Sequence, residues 1–144
     1  MFAEFLKRLT APDPEPLTDG DARLALTALL VRIARADGDY SQAEIDRIDR
    51  ITAARYSLSP FEATALRSEA ETLETEAPDT VRFTRAIKDA VPFDGRIAVI
   101  ESLWQVVLAD GARDAEEDSL VRLAANLLGI NDRDSALARQ RVTE

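Results

Sequence analysis

The tripeptide Ala-Asp-Gly occurs twice in this chain, at Ala36-Asp37-Gly38 and Ala109-Asp110-Gly111, 73 residues apart, each time between an apolar stretch and a new helix start. Glycine at such a place permits the left-handed backbone that ends a helix. Before the first copy, Leu26, Leu29, Leu30 and Ile33 share one helical stripe in a segment from about Asp21 to Ala36. After it, Ser41 stands where an N-cap belongs, Glu44 completes a capping box, and Ile45, Ile48 and Ile51 continue the apolar face. Before the second copy, Ile97, Val99, Ile100, Leu103, Trp104, Val106, Val107 and Leu108 are apolar on nearly all sides, the pattern of a central buried helix with Trp104 in the core. After it, Asp114 with Glu117 offers another cap before Leu120, Leu123, Leu127 and Leu128. Two helix-turn-helix units of this kind commit the chain to an all-α fold with an internal pseudo-repeat.

The remaining segments agree with a compact bundle of about six to seven helices. Ser59-Pro60-Phe61-Glu62 repeats the capping logic, with Ser as cap, Pro at the first helical position and Glu at the third. Leu66, Ala70 and Leu73 carry the third helix, whose other side bears Glu62, Glu69, Glu71 and Glu76. Pro78-Asp79 punctuates, and Val81, Phe83, Ala86, Ile87 and Ala90 predict a short helix ending before Pro92. Arg133 to Val142 predicts a terminal one. At the other end, Phe2, Phe5, Leu6 and Leu9 recur at helical spacing and are followed by three prolines between Thr10 and Leu17. The expected division is therefore an amphipathic segment with a Pro-rich linker over 1–17 and a helical domain over 18–144.

Charge and residue usage narrow the chemistry. With 27 acidic and 18 basic side chains the net charge is -9, and the arginines are scattered among acids, as Arg47 and Arg50 beside Asp46 and Asp49. This argues against nucleic acid and anionic membrane surfaces as direct partners. No cysteine and no histidine are present, which removes thiolate and imidazole ligands, the cysteine nucleophile and the Ser-His relay. Nothing in the sequence points to an enzyme. The first residues resemble neither a secretory signal nor a membrane span, so the expectation is a cytoplasmic protein without a transmembrane segment, reaching a membrane only through a protein partner.

The acidic turns are the candidate site. Asp37, Asp39 and Glu44 in the first copy, and Asp110, Asp114, Glu116 and Glu117 in the second, offer only oxygen ligands, which suit a hard divalent cation. The apolar positions Ile48, Ile51 and Leu58 match Leu120, Leu123 and Ile130 at a spacing of 72, so the second turn reads as one residue shorter than the first. By that helical phase Glu116 is the counterpart of Glu44, whereas the capping-box position selects Glu117. An EF-hand is excluded: with Gly38 at its sixth position and Glu44 at its twelfth, the first and third ligands would be Ile33 and Arg35. Helix capping alone is the competing explanation for these acids, and Tyr40 beside the first turn reads as a packing residue at its rim. In that case the chain is a scaffold whose partner surface lies elsewhere, on the Phe2-Phe5-Leu9 segment or the acidic third helix.

The stretches ALLVRIARADGDYSQAEIDRI and LWQVVLADGARDAEEDSLVRLAANLLGI resemble the two signature regions of the tellurite-resistance TerB-like family. The resemblance spans roughly Leu17 to Ile130. It implies a compact bacterial all-helical fold with internal pseudo-symmetry, no established enzymatic activity, and an acidic surface proposed to bind metal ions; the candidate cofactor for the acidic turns is a divalent cation, Ca, Mg, Mn or Zn. It also implies a protein partner in membrane-linked stress-response assemblies. Carried over by position, the implied metal site is Asp37 and Glu44 with Asp110 and Glu116 or Glu117.

Overall fold

The structure, a computed structural model, describes residues 19–76, 80–109 and 115–143. These residues form seven α-helices: α1 (Asp19–Ala34), α2 (Gln42–Tyr56), α3 (Pro60–Glu76), α4 (Thr80–Ala90), α5 (Arg96–Val107), α6 (Ala115–Leu127) and α7 (Asp132–Thr143), with a 3-10 turn at Phe93–Gly95 before α5. The expected amphipathic segment and linker over 1–17, the Pro78-Asp79 punctuation and the Asp110 to Asp114 turn lie outside the described residues.

The helix starts form where the sequence places them. Ser41 and Glu44 make a complete capping box at α2. At α3 the Ser59 N–H donates to Glu62 Oε1 at 3.0 Å, and Ser59 Oγ accepts the Glu62 N–H at 3.1 Å. The Ser59 backbone N–H, and after it the Ser59 side chain, hold the exposed Glu62 carboxyl below its ordinary range. At α7 Asn131 Oδ1 accepts the Asp134 N–H at 2.8 Å. Helix ends are closed as firmly: Arg96 donates to the carbonyls of Lys88 and Val91 at the end of α4 and of Leu128 after α6, groups that a terminating helix leaves unpaired.

The helix expected to be central, α5, buries Val99, Ile100, Leu103, Trp104, Val106 and Val107. It shares the centre with α1, where every residue from Leu24 to Val31 is buried. Ala25, Ala28 and Ala34 keep the surface of α1 shallow enough for α2, α3, α4, α5 and α6 all to pack against it. Trp104 is a core residue as expected, with its indole Nε1–H donated to Ser135 Oγ at 3.1 Å.

Burial also reveals how long the repeat is. The buried residues Glu44, Ile48, Ile51 and Thr52 of α2 correspond to Glu117, Val121, Ala124 and Ala125 of α6, all 73 apart. On α1 and α5 the same spacing pairs Leu26 with Val99, Leu30 with Leu103 and Ile33 with Val106, all buried. The chain leaves the two helices alike: Ala36 N–H donates to Ile33 O and Ala109 N–H to Val106 O, both at 3.2 Å. At the ends of α2 and α6 the spacing becomes 72, where Leu58 N–H reaches Ala53 O and Ile130 N–H reaches Ala125 O. The residue missing from the second copy therefore belongs to the last turn of α6, and the second turn is not the shorter one. Each repeat comprises three helices, α1 to α3 and α5 to α7, with α4 joining them, rather than the two helices suggested by the sequence.

Candidate functional site

The first acidic turn is built from side chains that each have a backbone task. Gly38, at φ 83°, takes the left-handed conformation that reverses the chain after α1, and a Cβ there would touch nothing but would strain the backbone. Asp37 Oδ1 accepts the Asp39 N–H at 2.9 Å, which closes a side-chain turn. This gives Asp37 a structural reason to precede Gly38.

Glu44 divides its carboxylate. Oε1 accepts the Ser41 N–H at 2.9 Å and the Ser41 hydroxyl at 3.0 Å, while Ser41 Oγ accepts the Glu44 N–H at 3.2 Å. Oε2 is buried and has no hydrogen-bond partner among the described residues, and the residue as a whole is only 1% exposed. A carboxylate oxygen shut away from water without a donor or cation is costly to keep.

A ladder of charged and aromatic groups ties this turn to α3. The Tyr40 hydroxyl donates to Glu71 Oε2 at 2.7 Å, and Glu71 also pairs with Arg67, which binds Asp49 on α2 at 2.7 Å. Arg35 lies 4.9 Å from the Tyr40 ring and pairs with Glu74, which also holds Arg32. Burial, reinforced by the Glu71 carboxylate, pushes the Tyr40 phenol well above its ordinary range. Tyr40, expected as a packing residue at the rim, and Glu71, expected on the acidic side of the third helix, are thereby joined. The only sign of the ladder in the sequence is the four-residue spacing of Arg67 and Glu71, because its other rungs join different helices. On the acidic side of α3, Glu69 and Glu76 remain exposed, while Glu71 and Glu74 serve the ladder.

In the second copy the choice between the two glutamates is decided by position and burial. Glu117 is the third residue of α6, as Glu44 is of α2, and is 2% exposed. Glu116 is exposed and lines a broad groove of about 650 Å³ together with Ala36, Leu120 and Leu123. Leu123, expected on the apolar face, is 46% exposed, because Val121, Ala124 and Ala125 occupy the buried side. Asp110 and Asp114 lie outside the described residues.

The flanks of the two turns approach each other. Ala36, after α1, shares the groove with Ala115 and Glu116 at the start of α6. Arg47 of α2 donates to the carbonyl of Gln105 near the end of α5 at 3.4 Å. Among the described residues no three acidic side chains converge as metal ligands.

The family model described as tellurite resistance protein TerB matches residues 23–140, which includes both turns and all but the ends of the helical domain. The chain belongs to the TerB family. No curated protein and no solved structure matches it significantly. The seven-helix TerB domain has, among its described residues, no helix long and apolar enough to cross a membrane.

Proposed function

We propose that this TerB-family chain is a non-enzymatic binding module, working in a bacterial tellurite-resistance-like stress response, whose acidic turns hold a divalent cation. The observation that carries this reading is Glu44 Oε2, a buried carboxylate oxygen with no hydrogen-bond partner among the described residues. Capping uses only the other oxygen of that side chain. Glu44 and Glu117 would contribute from equivalent helix starts, with Asp37 and Asp110 from the turns before them. Glu116, being exposed, suits the rim. An all-carboxylate set favours Ca, Mg or Mn over Zn, which prefers the nitrogen and sulfur ligands this chain lacks. A side chain 1% exposed is accessible to a small ion rather than to a partner's residue, so a protein partner would meet the outer surface of the same end.

The competing reading is a scaffold in which the acids only cap helices, and the complete Ser41-Glu44 box and the Asp37 turn favour it. Calorimetric titration with calcium, magnesium, manganese and zinc separates the two. Cation binding predicts saturable heat with a hard cation, lost when Asp37→Asn is combined with Asp110→Asn. Absence of saturable binding, or binding unchanged in that double variant, leaves the scaffold.

A further inference from the structure

Two arginines stand at equivalent places of the repeat in different surroundings. Arg23 on α1 and Arg96 on α5 are 73 residues apart, the spacing that pairs Leu26 with Val99. Arg96 gives its guanidinium to three carbonyls: Nε donates to Val91 O at 3.0 Å, and the terminal nitrogens donate to Leu128 O at 3.3 Å and Lys88 O at 3.0 Å. The Arg23 side chain makes no hydrogen bond or ion pair among the described residues, although its Nε is buried. It lies 4.6 Å from the ring of Tyr56, which stands where the second unit has Leu128. Beside it is a cavity of about 260 Å³, walled by Arg23 and Leu26 of α1, Arg55 and Tyr56 of α2, and Ile87 and Val91 of α4. Arg55, which is exposed, approaches the same ring at 5.8 Å and also makes no ion pair among the described residues. Glu62 feels the charge of Arg23, but its carboxylate accepts the Ser59 N–H instead. In a chain of net charge -9, this pocket therefore holds two arginines that no acid neutralises by contact.

We propose that this pocket binds a small organic carboxylate with a compact apolar body, the carboxylate on Arg23 with Arg55 at the mouth, and the body against Leu26, Ile87 and Val91. A buried N–H without an acceptor is costly, and a carboxylate is the acceptor that matches the guanidinium fork. Stacking on Tyr56 orients that fork and leaves its N–H edge available. The aliphatic wall favours a ligand that brings apolar surface over a purely inorganic anion. At the volume of liquid water the cavity has room for roughly eight non-hydrogen atoms, which fits a short aliphatic or monocyclic aromatic acid and excludes a nucleotide. The pocket lies at the start of α1, whereas the acidic turn follows its end, so the proposal does not depend on whether the turns bind a cation.

The test is a titration of the full chain followed by nuclear magnetic resonance, with butyrate, hexanoate and benzoate as ligands. Inorganic phosphate supplies charge without an apolar body, and benzyl alcohol supplies the body without charge. At least one acid should produce saturable shifts of the Tyr56 amide and the Arg23 Nε–H resonances, and neither control should. Arg23→Gln should weaken that binding at least about tenfold, the loss of one charge-assisted contact. The Arg23 Nε–H shift in the unmodified protein decides the matter even if the variant does not fold. Absence of a saturable response to any of the acids at roughly 10 mM, beyond the millimolar range of a weak specific site, overturns the proposal. So does an equal response to phosphate, or binding that a folded Arg23→Gln protein retains in full.

Discussion

Replacing Glu44 in two steps separates what the residue does for the helix from what it does for a ligand. Glu44→Gln keeps an oxygen able to accept the Ser41 N–H bond of 2.9 Å and removes the charge. The loss is that of a first-turn carboxylate in the helix dipole, at most about 1 kcal/mol. Glu44→Ala removes the Ser41 interactions as well, for about 1–2 kcal/mol more, and leaves space where a buried side chain stood. Calcium at about 100 times its dissociation constant should stabilise the wild type by about 2.7 kcal/mol. For a chain of this length that corresponds to a rise of roughly 8 °C in melting temperature. The assay is thermal unfolding followed by circular dichroism, with and without calcium, on the three proteins. The expected pattern is a large calcium shift in the wild type, none in Glu44→Gln, and near-equal melting of those two proteins without calcium. A Glu44→Gln protein that melts as early as Glu44→Ala would refute the division of the carboxylate into a capping and a free oxygen. One that keeps the full calcium shift would remove Glu44 from the cation site.

Two further predictions follow from the first turn and the helix ends. Because burial and then Glu71 raise the Tyr40 pKa above its ordinary 10.0, the folded state favours the protonated phenol. The stability this gives is intact below about pH 10 and is lost as pH climbs toward the higher folded value. Spectrophotometric titration should therefore find Tyr40 ionising later in the folded than in the denatured protein, and Tyr40→Phe should reduce the alkaline loss of stability without abolishing it, since burial also raises Tyr56. Ser57, at φ 55°, closes α2 in the left-handed conformation that Gly129 takes after α6. Ser57→Gly should raise stability by about 0.5–1 kcal/mol in urea unfolding, and a loss instead would mean that the exposed hydroxyl has a partner in solution.

The sequence made the helix starts legible because capping is local: Ser41 with Glu44 and Ser59 with Glu62 need only three residues to be recognised. It also made the buried α5 legible, since large apolar groups surround that helix on most sides. The register of the second unit was not legible, and the reason is size. Leu120 and Leu123 dominate a hydrophobic pattern, yet the face of α6 turned inward is Glu117, Val121, Ala124 and Ala125. Close helix packing rewards small residues there, and the buried glutamate is invisible to a count of apolar positions. The Leu-based match produced the spacing of 72 and with it the apparent shortening of the second turn. The pocket beside Arg23 was hidden for another reason: its walls come together only when α1, α2 and α4 are packed.

The two units share a plan but tie their third helices to the rest of the unit differently, and one position shows why. Glu71 receives the Tyr40 hydroxyl and the Arg67 guanidinium together, so the first turn is braced against α3 from outside while Ser41 fixes Glu44 from within. The residue of α7 equivalent to Glu71 is Thr143, whose hydroxyl donates to the carbonyl of Gln140 on its own helix. It has no carboxylate with which to brace another element. Arg139, the equivalent of Arg67, stacks on Trp104 where its counterpart is locked between two acids. Losing the ion-pair partner on the neighbouring helix, where Arg122 stands in place of Asp49, leaves the second unit a cleft between α6 and α7, and keeping it gives the first unit an oriented set of acids. In the cation reading, the first turn supplies ligands whose positions are set before binding. Loosening the brace at Glu71 should therefore weaken a cation bound at Glu44 even though Glu71 itself is not a ligand.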